Sequence, residues 1–139
     1  MPGDRVAVVA PGSQLSPLQL ESAVELLRSW KLVVVIGKSV IRESGYLSGP
    51  DYLRLQDLHG AWSDPSTTAI FCLRGGYGTQ RIVDLIDWTV CQRYPKYLVG
   101  FSDITALHLA LWKNTRTVTC RRLLKEPSWV ATYRFWRLQ

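Results

Sequence analysis

Two stretches of this sequence combine a reactive side chain or a run of glycines with a turn between a strand and a helix. The first runs Tyr97-Leu98-Val99-Gly100-Phe101-Ser102-Asp103-Ile104-Thr105, a short apolar run that turns at Gly-Phe-Ser-Asp and continues as a helix. Ser102 therefore falls on a strand-to-helix corner. Such a corner presents a hydroxyl outward while the first free N–H groups of the helix point at whatever it attacks, which is the logic of a nucleophile elbow. The stretch is not the G-x-S-x-G form, because Ile104 occupies the second glycine position. The pair Ser102-Asp103 also has an ordinary explanation, since both residue types are favoured helix N-caps.

The second stretch is Arg74-Gly75-Gly76-Tyr77-Gly78, which follows the apolar run Ala69 to Leu73 and precedes a helical pattern. Glycines let backbone N–H groups approach a ligand closely and adopt positive φ, and such loops serve phosphates, dinucleotides or oxyanions. The dinucleotide fingerprint G-x-G-x-x-G fails, because Arg81 stands where the third glycine belongs, and no Gly-Lys-Ser or Gly-Lys-Thr follows to make a P-loop. A tight turn is the structural alternative. Placement favours function: the loop ends one strand as Ser102 ends the next, so both are expected at the carboxyl edge of one sheet, where open α/β sheets hold their ligands.

The remaining candidates are weaker. His59 and His108 are the only histidines. His108 lies six residues beyond Ser102 on the same helix, about 9 Å farther along the axis, and reads as a packed helix residue rather than a base for Ser102. His59 has no assignable role. Cys72, in an apolar strand, reads as a small core residue. Cys72, Cys91 and Cys120 are widely spaced and form no C-x-x-C, so they suggest neither a disulfide framework nor a zinc site.

The strands and helices around these residues follow from periodicity. Strands are expected near Val6–Ala10, Leu32–Ile36, Ala69–Leu73 and Tyr97–Gly100, each nearly continuous in apolar residues, as in parallel sheets covered on both faces. Ser16-Pro17-Leu18-Gln19 has the form of a capping box with Pro in the first helical position. Leu20, Ala23, Val24 and Leu27 then repeat at helical spacing. A second helix is expected from Asp51, with Leu55, Leu58 and Trp62 on one face and Asp51, Arg54 and Asp57 spaced to pair on its surface. A third starts at Thr79 with Ile82, Leu85 and Ile86 inward, and a fourth follows Ser102. Alternation of strands and helices predicts an α/β fold, a three-layer, mostly parallel sheet with flanking helices of Rossmann-like or flavodoxin-like type.

Composition bounds the rest. The 139 residues, 47% hydrophobic and 20% charged, suit one globular domain. No apolar run is long enough to span a membrane, and Val6 to Ala10 is too short for a signal-peptide core, so a cytoplasmic protein is expected. The net charge of +6 is unevenly placed: Met1 to Lys113 carries a net +1, and Asn114 to Gln139 a net +5. Nucleic-acid binding through the basic segment ranks low, because that segment has neither a periodic helix nor an ordered aromatic platform.

Taken together, four ordered blocks resemble the N-terminal half of the serine LD-carboxypeptidases, a family that includes the muramoyltetrapeptide carboxypeptidases and the microcin C self-immunity peptidases. The blocks are Val8-Val9-Ala10-Pro11-Gly12-Ser13, Asp51 to Leu58, Ala69 to Gly78, and Pro95 to Leu107. The resemblance implies a serine hydrolase that cuts an amide between an L and a D centre in murein peptides, releasing terminal D-alanine in cytoplasmic recycling. By match to the motif Ser102 is the nucleophile, and the backbone N–H groups of Gly76 and Asp103 form the oxyanion hole. The family uses a Ser-His-Glu triad without metal or other cofactor, and its members often dimerise.

The departures shape a further expectation. In the family the Glu and His come from a C-terminal domain, for which this chain has no room, and Lys31 stands where a helix-ending glycine is common. Residues 1–112 are therefore expected to be the nucleophile domain and residues 113–139 an atypical basic tail. In that tail only Val130 to Tyr133 has the character of a strand. A frameshift or a truncated gene model near Trp112 would account for the loss of pattern and the jump in charge together. Such a chain is expected to be weakly active or inactive alone. The alternative is a noncatalytic α/β module that binds a peptide or nucleotide through the glycine loop.

Overall fold

A computed structural model of the chain describes residues 1–117 and 119–121. The strands β1 (Arg5–Val9), β2 (Val33–Ile36), β3 (Thr67–Cys72), β4 (Tyr97–Gly100) and β5 (Cys120–Arg121) form one sheet in the order β2-β1-β3-β4-β5. Every neighbouring pair is parallel. The helices are α1 (Pro17–Ser29), α2 (Asp51–Ser63), α3 (Gln80–Val83), α4 (Trp88–Arg93) and α5 (Thr105–Thr115), with short 3₁₀ turns at Lys38–Ile41 and Ser102–Ile104.

Alternation along the strands divides the core between the two sheet faces. Ala7, Val9, Ile70, Cys72 and Leu98 pack under α2 to α5 with Leu58, Trp62, Ile82, Leu107 and Leu111. Val6, Val8, Ala69, Phe71 and Val99 face the opposite side, where Leu27 of α1 meets them. The connections after β1 and β3 thus leave for opposite faces. The crevice at the carboxyl ends of β1 and β3 is the switch point at which parallel sheets of this order hold ligands.

Local signals explain the helix starts. Ser16 accepts from the Gln19 N–H at 3.3 Å and Gln19 Oε1 accepts from the Ser16 N–H at 3.1 Å, so the expected capping box closes. Lys31 takes the left-handed conformation that a helix-ending glycine would take (φ 60°), and its N–H donates to Arg28 O at 2.7 Å.

Three expectations change. The helix from Thr79 is two short helices, and Leu85, expected inward, is exposed while Ile82 and Ile86 are buried. The break covers Asp84 to Asp87, where the Asp87 carboxylate accepts from the Thr89 N–H at 2.9 Å and starts α4. Arg54, expected on the surface of α2, is fully buried. It still pairs with Asp51, but Asp57 turns elsewhere and accepts the Lys38 and Ser39 N–H groups at 3.0 and 2.7 Å. Finally, β5 extends the sheet beyond Trp112 at a site with no strand-like pattern; two residues pairing with Val99 and Gly100 are too few to leave one. Val130 to Tyr133 lies outside the described residues.

Candidate functional site

Ser102 stands where β4 gives way to α5. The chain leaves Gly100 extended, passes Phe101 at φ −150°, and turns at Ser102 with φ 58°. A left-handed serine is uncommon and costs about 1–2 kcal/mol; strain of this kind concentrates at functional sites. Gly100 makes the turn feasible, since a Cβ there would lie 2.7 Å from Ile104 Cγ2. Ser102 is exposed. Ser102→Thr is therefore expected to lower stability by about 1–2 kcal/mol, because a β-branched side chain tolerates positive φ worst. Ser102→Ala should stay within about 0.5 kcal/mol of the parent. Urea midpoints check this, and equal midpoints for the serine and threonine forms would contradict the strained corner.

The glycine loop lies directly against this corner. A Cβ on Gly75 would fall 2.8 Å from Phe101 O, 2.8 Å from Ser102 Cβ and 2.9 Å from Asp103 N. The two stretches singled out in the sequence are thus in contact, and Asp103 ties them further: its Oδ2 accepts the Thr79 N–H at 2.8 Å, just beyond the loop.

The directions of two N–H groups are fixed by the far sides of their peptide planes. Ser13 N–H donates to Gly75 O at 3.0 Å. In a trans peptide the N–H points opposite to the carbonyl, so this bond sets the Gly76 N–H. Likewise Thr105 N–H donates to Ser102 O, which sets the Asp103 N–H. Neither the Gly76 nor the Asp103 N–H enters a backbone hydrogen bond among the described residues. Each of these two N–H groups is thus held in a fixed direction, one on either side of the contact between Gly75 and Ser102; fixed backbone donors of this kind are what an oxyanion requires.

The histidines are engaged elsewhere. His108 is buried, its Nε2 3.2 Å from Gly100 O. His59 Nε2 accepts the Asp87 N–H at 3.0 Å, at the start of α4. Cys72 is buried in β3, where desolvation pushes its thiol up out of the range in which a thiolate forms. Among the described residues no group of His, Cys, Asp and Glu is placed to hold a metal ion, and no helix is long and apolar enough to cross a membrane. A groove of about 300 Å³ between β2 and α2, lined by Val35, Ile36, Gln56 and Asp57, contains none of the site residues.

Sequence reasoning missed two supports of the site. Ser13, buried behind the loop, accepts the Tyr77 N–H on its Oγ at 3.0 Å and donates its own N–H to Gly75 O. Arg54 donates through Nη1 to Gly78 O at 3.0 Å and to Pro11 O, and through Nη2 to Asp51. Asp51 also receives Arg81 at 2.8 Å; that bond first, and Arg54 after it, hold the Asp51 carboxyl below its ordinary range. The spacing held a signal: Arg54 falls four residues before Leu58 and eight before Trp62, on the apolar stripe of α2.

Comparison with known proteins gives a consistent picture. The family model for the LD-carboxypeptidase N-terminal domain matches residues 6–121. A Streptomyces coelicolor protein bearing a carboxypeptidase name is 45% identical over 122 residues, which are 85% of this chain and 39% of that one. The murein tetrapeptide carboxypeptidase of Pseudomonas aeruginosa is 39% identical over 104 residues, 74% of this chain and 34% of the relative. The solved muramoyltetrapeptide carboxypeptidase from Oxalobacter formigenes superimposes with a TM-score of 0.77 at 26% identity, covering 88% of this chain and 41% of that one. The chain spans about two-fifths or less of the length of these proteins.

Proposed function

Because this chain belongs to the LD-carboxypeptidase family, as an N-terminal domain, we propose that it supplies the nucleophile and oxyanion hole of a serine carboxypeptidase acting on murein tetrapeptide in cytoplasmic cell-wall recycling. Ser102 Oγ attacks the carbonyl carbon of the amide that joins the L-configured centre of the third residue to terminal D-alanine. The Gly76 and Asp103 N–H groups hold the oxygen as it becomes negative, each worth about 3 kcal/mol of barrier. The C–N bond then breaks, D-alanine leaves with a proton on its amine, and water releases the peptide from Ser102. The base that takes the serine proton is the His, oriented by a Glu, that the family carries in its C-terminal domain. In this reading the nucleophile domain extends through β5 to residue 121.

The observation that carries the proposal is the contact of Gly75 with Ser102 Cβ and Asp103 N, which sets the glycine loop against a strained, exposed serine, with the Gly76 and Asp103 N–H groups in no backbone hydrogen bond among the described residues. Isothermal titration of the chain with a murein tetrapeptide, AMP and GMP tests it against a noncatalytic nucleotide-binding module. The tetrapeptide is expected to bind and the nucleotides not to. Nucleotide binding without peptide binding would overturn the proposal.

A further inference from the structure

The buried guanidinium of Arg54 is hard to explain as a stabilising feature. The side chain is fully buried, and its Nε has no partner among the described residues. A buried charge with an unmet N–H is costly, and a hydrophobic residue of similar volume is often as stable or more so. Its satisfied donors reach two carbonyls on separate loops at the carboxyl edge: Pro11 O, two residues before Ser13, and Gly78 O, two residues after Gly76. Between those points Ser13 grips the Gly75 carbonyl and the Tyr77 N–H, which flank Gly76 on either side.

We infer that Arg54 is the positioning residue of the oxyanion loop: by tying Pro11 O to Gly78 O it holds Ser13 against the Gly75–Gly76 peptide and so aims the Gly76 N–H. The inference rests on the proposed role of Gly76 for its catalytic meaning, and on geometry alone for the rest. The planar fork is essential, because one guanidinium reaches both carbonyls and Asp51 at once, whereas an ammonium is a point charge on a flexible stem. Asp51 anchors the fork, and Arg81, which enters α3 just after the loop, closes the arrangement on Asp51 from outside at 2.8 Å.

The test is the ¹H–¹⁵N spectrum of the 139-residue chain. The hydrogen bonds of Arg54 go to Pro11, Gly78 and Asp51 and not to Gly76, so the Gly76 cross-peak reports the aim of the loop and not the loss of a bonded partner. In Arg54→Lys the Gly76 cross-peak is expected to leave its parent position or broaden away, while those of Ile70 and Leu98 in the sheet stay. In Arg54→Ala, added guanidinium at low millimolar concentration should restore the Gly76 cross-peak, and sodium at equal concentration should not. Should both variants fail to fold, Asp51→Asn keeps Arg54 and frees its fork, and a smaller displacement of the Gly76 cross-peak is expected. A Gly76 cross-peak unmoved in every variant that folds would overturn the inference, even with a lowered melting temperature, since that pattern is purely structural. Absence of tetrapeptide binding by the parent chain would count against the proposed function and leave this result standing.

Discussion

D-alanine is expected to appear from a murein tetrapeptide about 10⁶-fold more slowly with this 139-residue chain than with a fusion protein in which residues 1–121 continue into the C-terminal half of a longer relative. The factor is the cost, in kcat, of removing the base from a serine triad. A serine hydroxyl is a weak nucleophile unless a base lies within hydrogen-bond reach. His108 is buried against Gly100 O and His59 is held at the Asp87 N–H. The oxyanion hole and substrate binding alone leave a residual acceleration of about 10³–10⁴ over water. Coupled-enzyme detection of D-alanine checks the prediction. Rates within a factor of ten of the fusion protein, lost on Ser102→Ala, would show that the chain holds a base of its own.

Gly75→Ala in the same fusion protein is expected to lower kcat by about 10²–10³ while leaving KM within a few-fold, the signature of a contact made in the transition state. The added Cβ would meet Phe101 O, Ser102 Cβ and Asp103 N, all within 2.9 Å, and none of these is the end of a flexible side chain. Loop and corner must therefore separate. The two proposed donors sit on opposite sides of that contact, Gly76 on the loop and Asp103 on the corner, so a shift of a few tenths of an ångström spoils both angles at once. Forcing the methyl in should also cost about 1–3 kcal/mol of stability. Gly60→Ala is the control. A Cβ there meets nothing within 4 Å, in the last turn of α2, and the change should stabilise the helix by up to about 1 kcal/mol without altering kcat. Equal kcat for the Gly75→Ala and parent proteins would remove the loop from the reaction.

Much of this arrangement is legible in the residues. Strands buried on both faces read as unbroken apolar runs, which is why Val6 to Val9, Ala69 to Cys72 and Tyr97 to Gly100 could be placed to within a residue or two. Their parallel pairing follows from the helices between them. Once parallel, the strands ending at Cys72 and Gly100 must deliver Gly75 and Ser102 to one edge. What escaped was set by tertiary contact. Arg54 occupies an apolar-stripe position of α2, and only the two carbonyls and the Asp51 carboxylate that converge on it make burial tolerable there. Leu85 fits a helical stripe, yet the helix ends at Val83 and a new one starts at Trp88, capped by Asp87, so that Ile82 and Ile86 are buried and Leu85 between the two helices is exposed. β5 is visible only by its ladder with Val99 and Gly100. Ser13 reads as a turn residue, because its role depends on a loop more than sixty positions away.

Covalent capture distinguishes Ser102 as the nucleophile from every other serine of the chain. The fusion protein is treated with an alkyl phosphonofluoridate, whose phosphorus is attacked by an activated serine hydroxyl with loss of fluoride, and the labelled peptide is identified by mass. One phosphonyl group is expected on Ser102, with no label on the Ser102→Ala protein and D-alanine release by that variant lower by about 10⁶. A label on another residue, or a Ser102→Ala protein that still releases D-alanine at the parent rate, would contradict it.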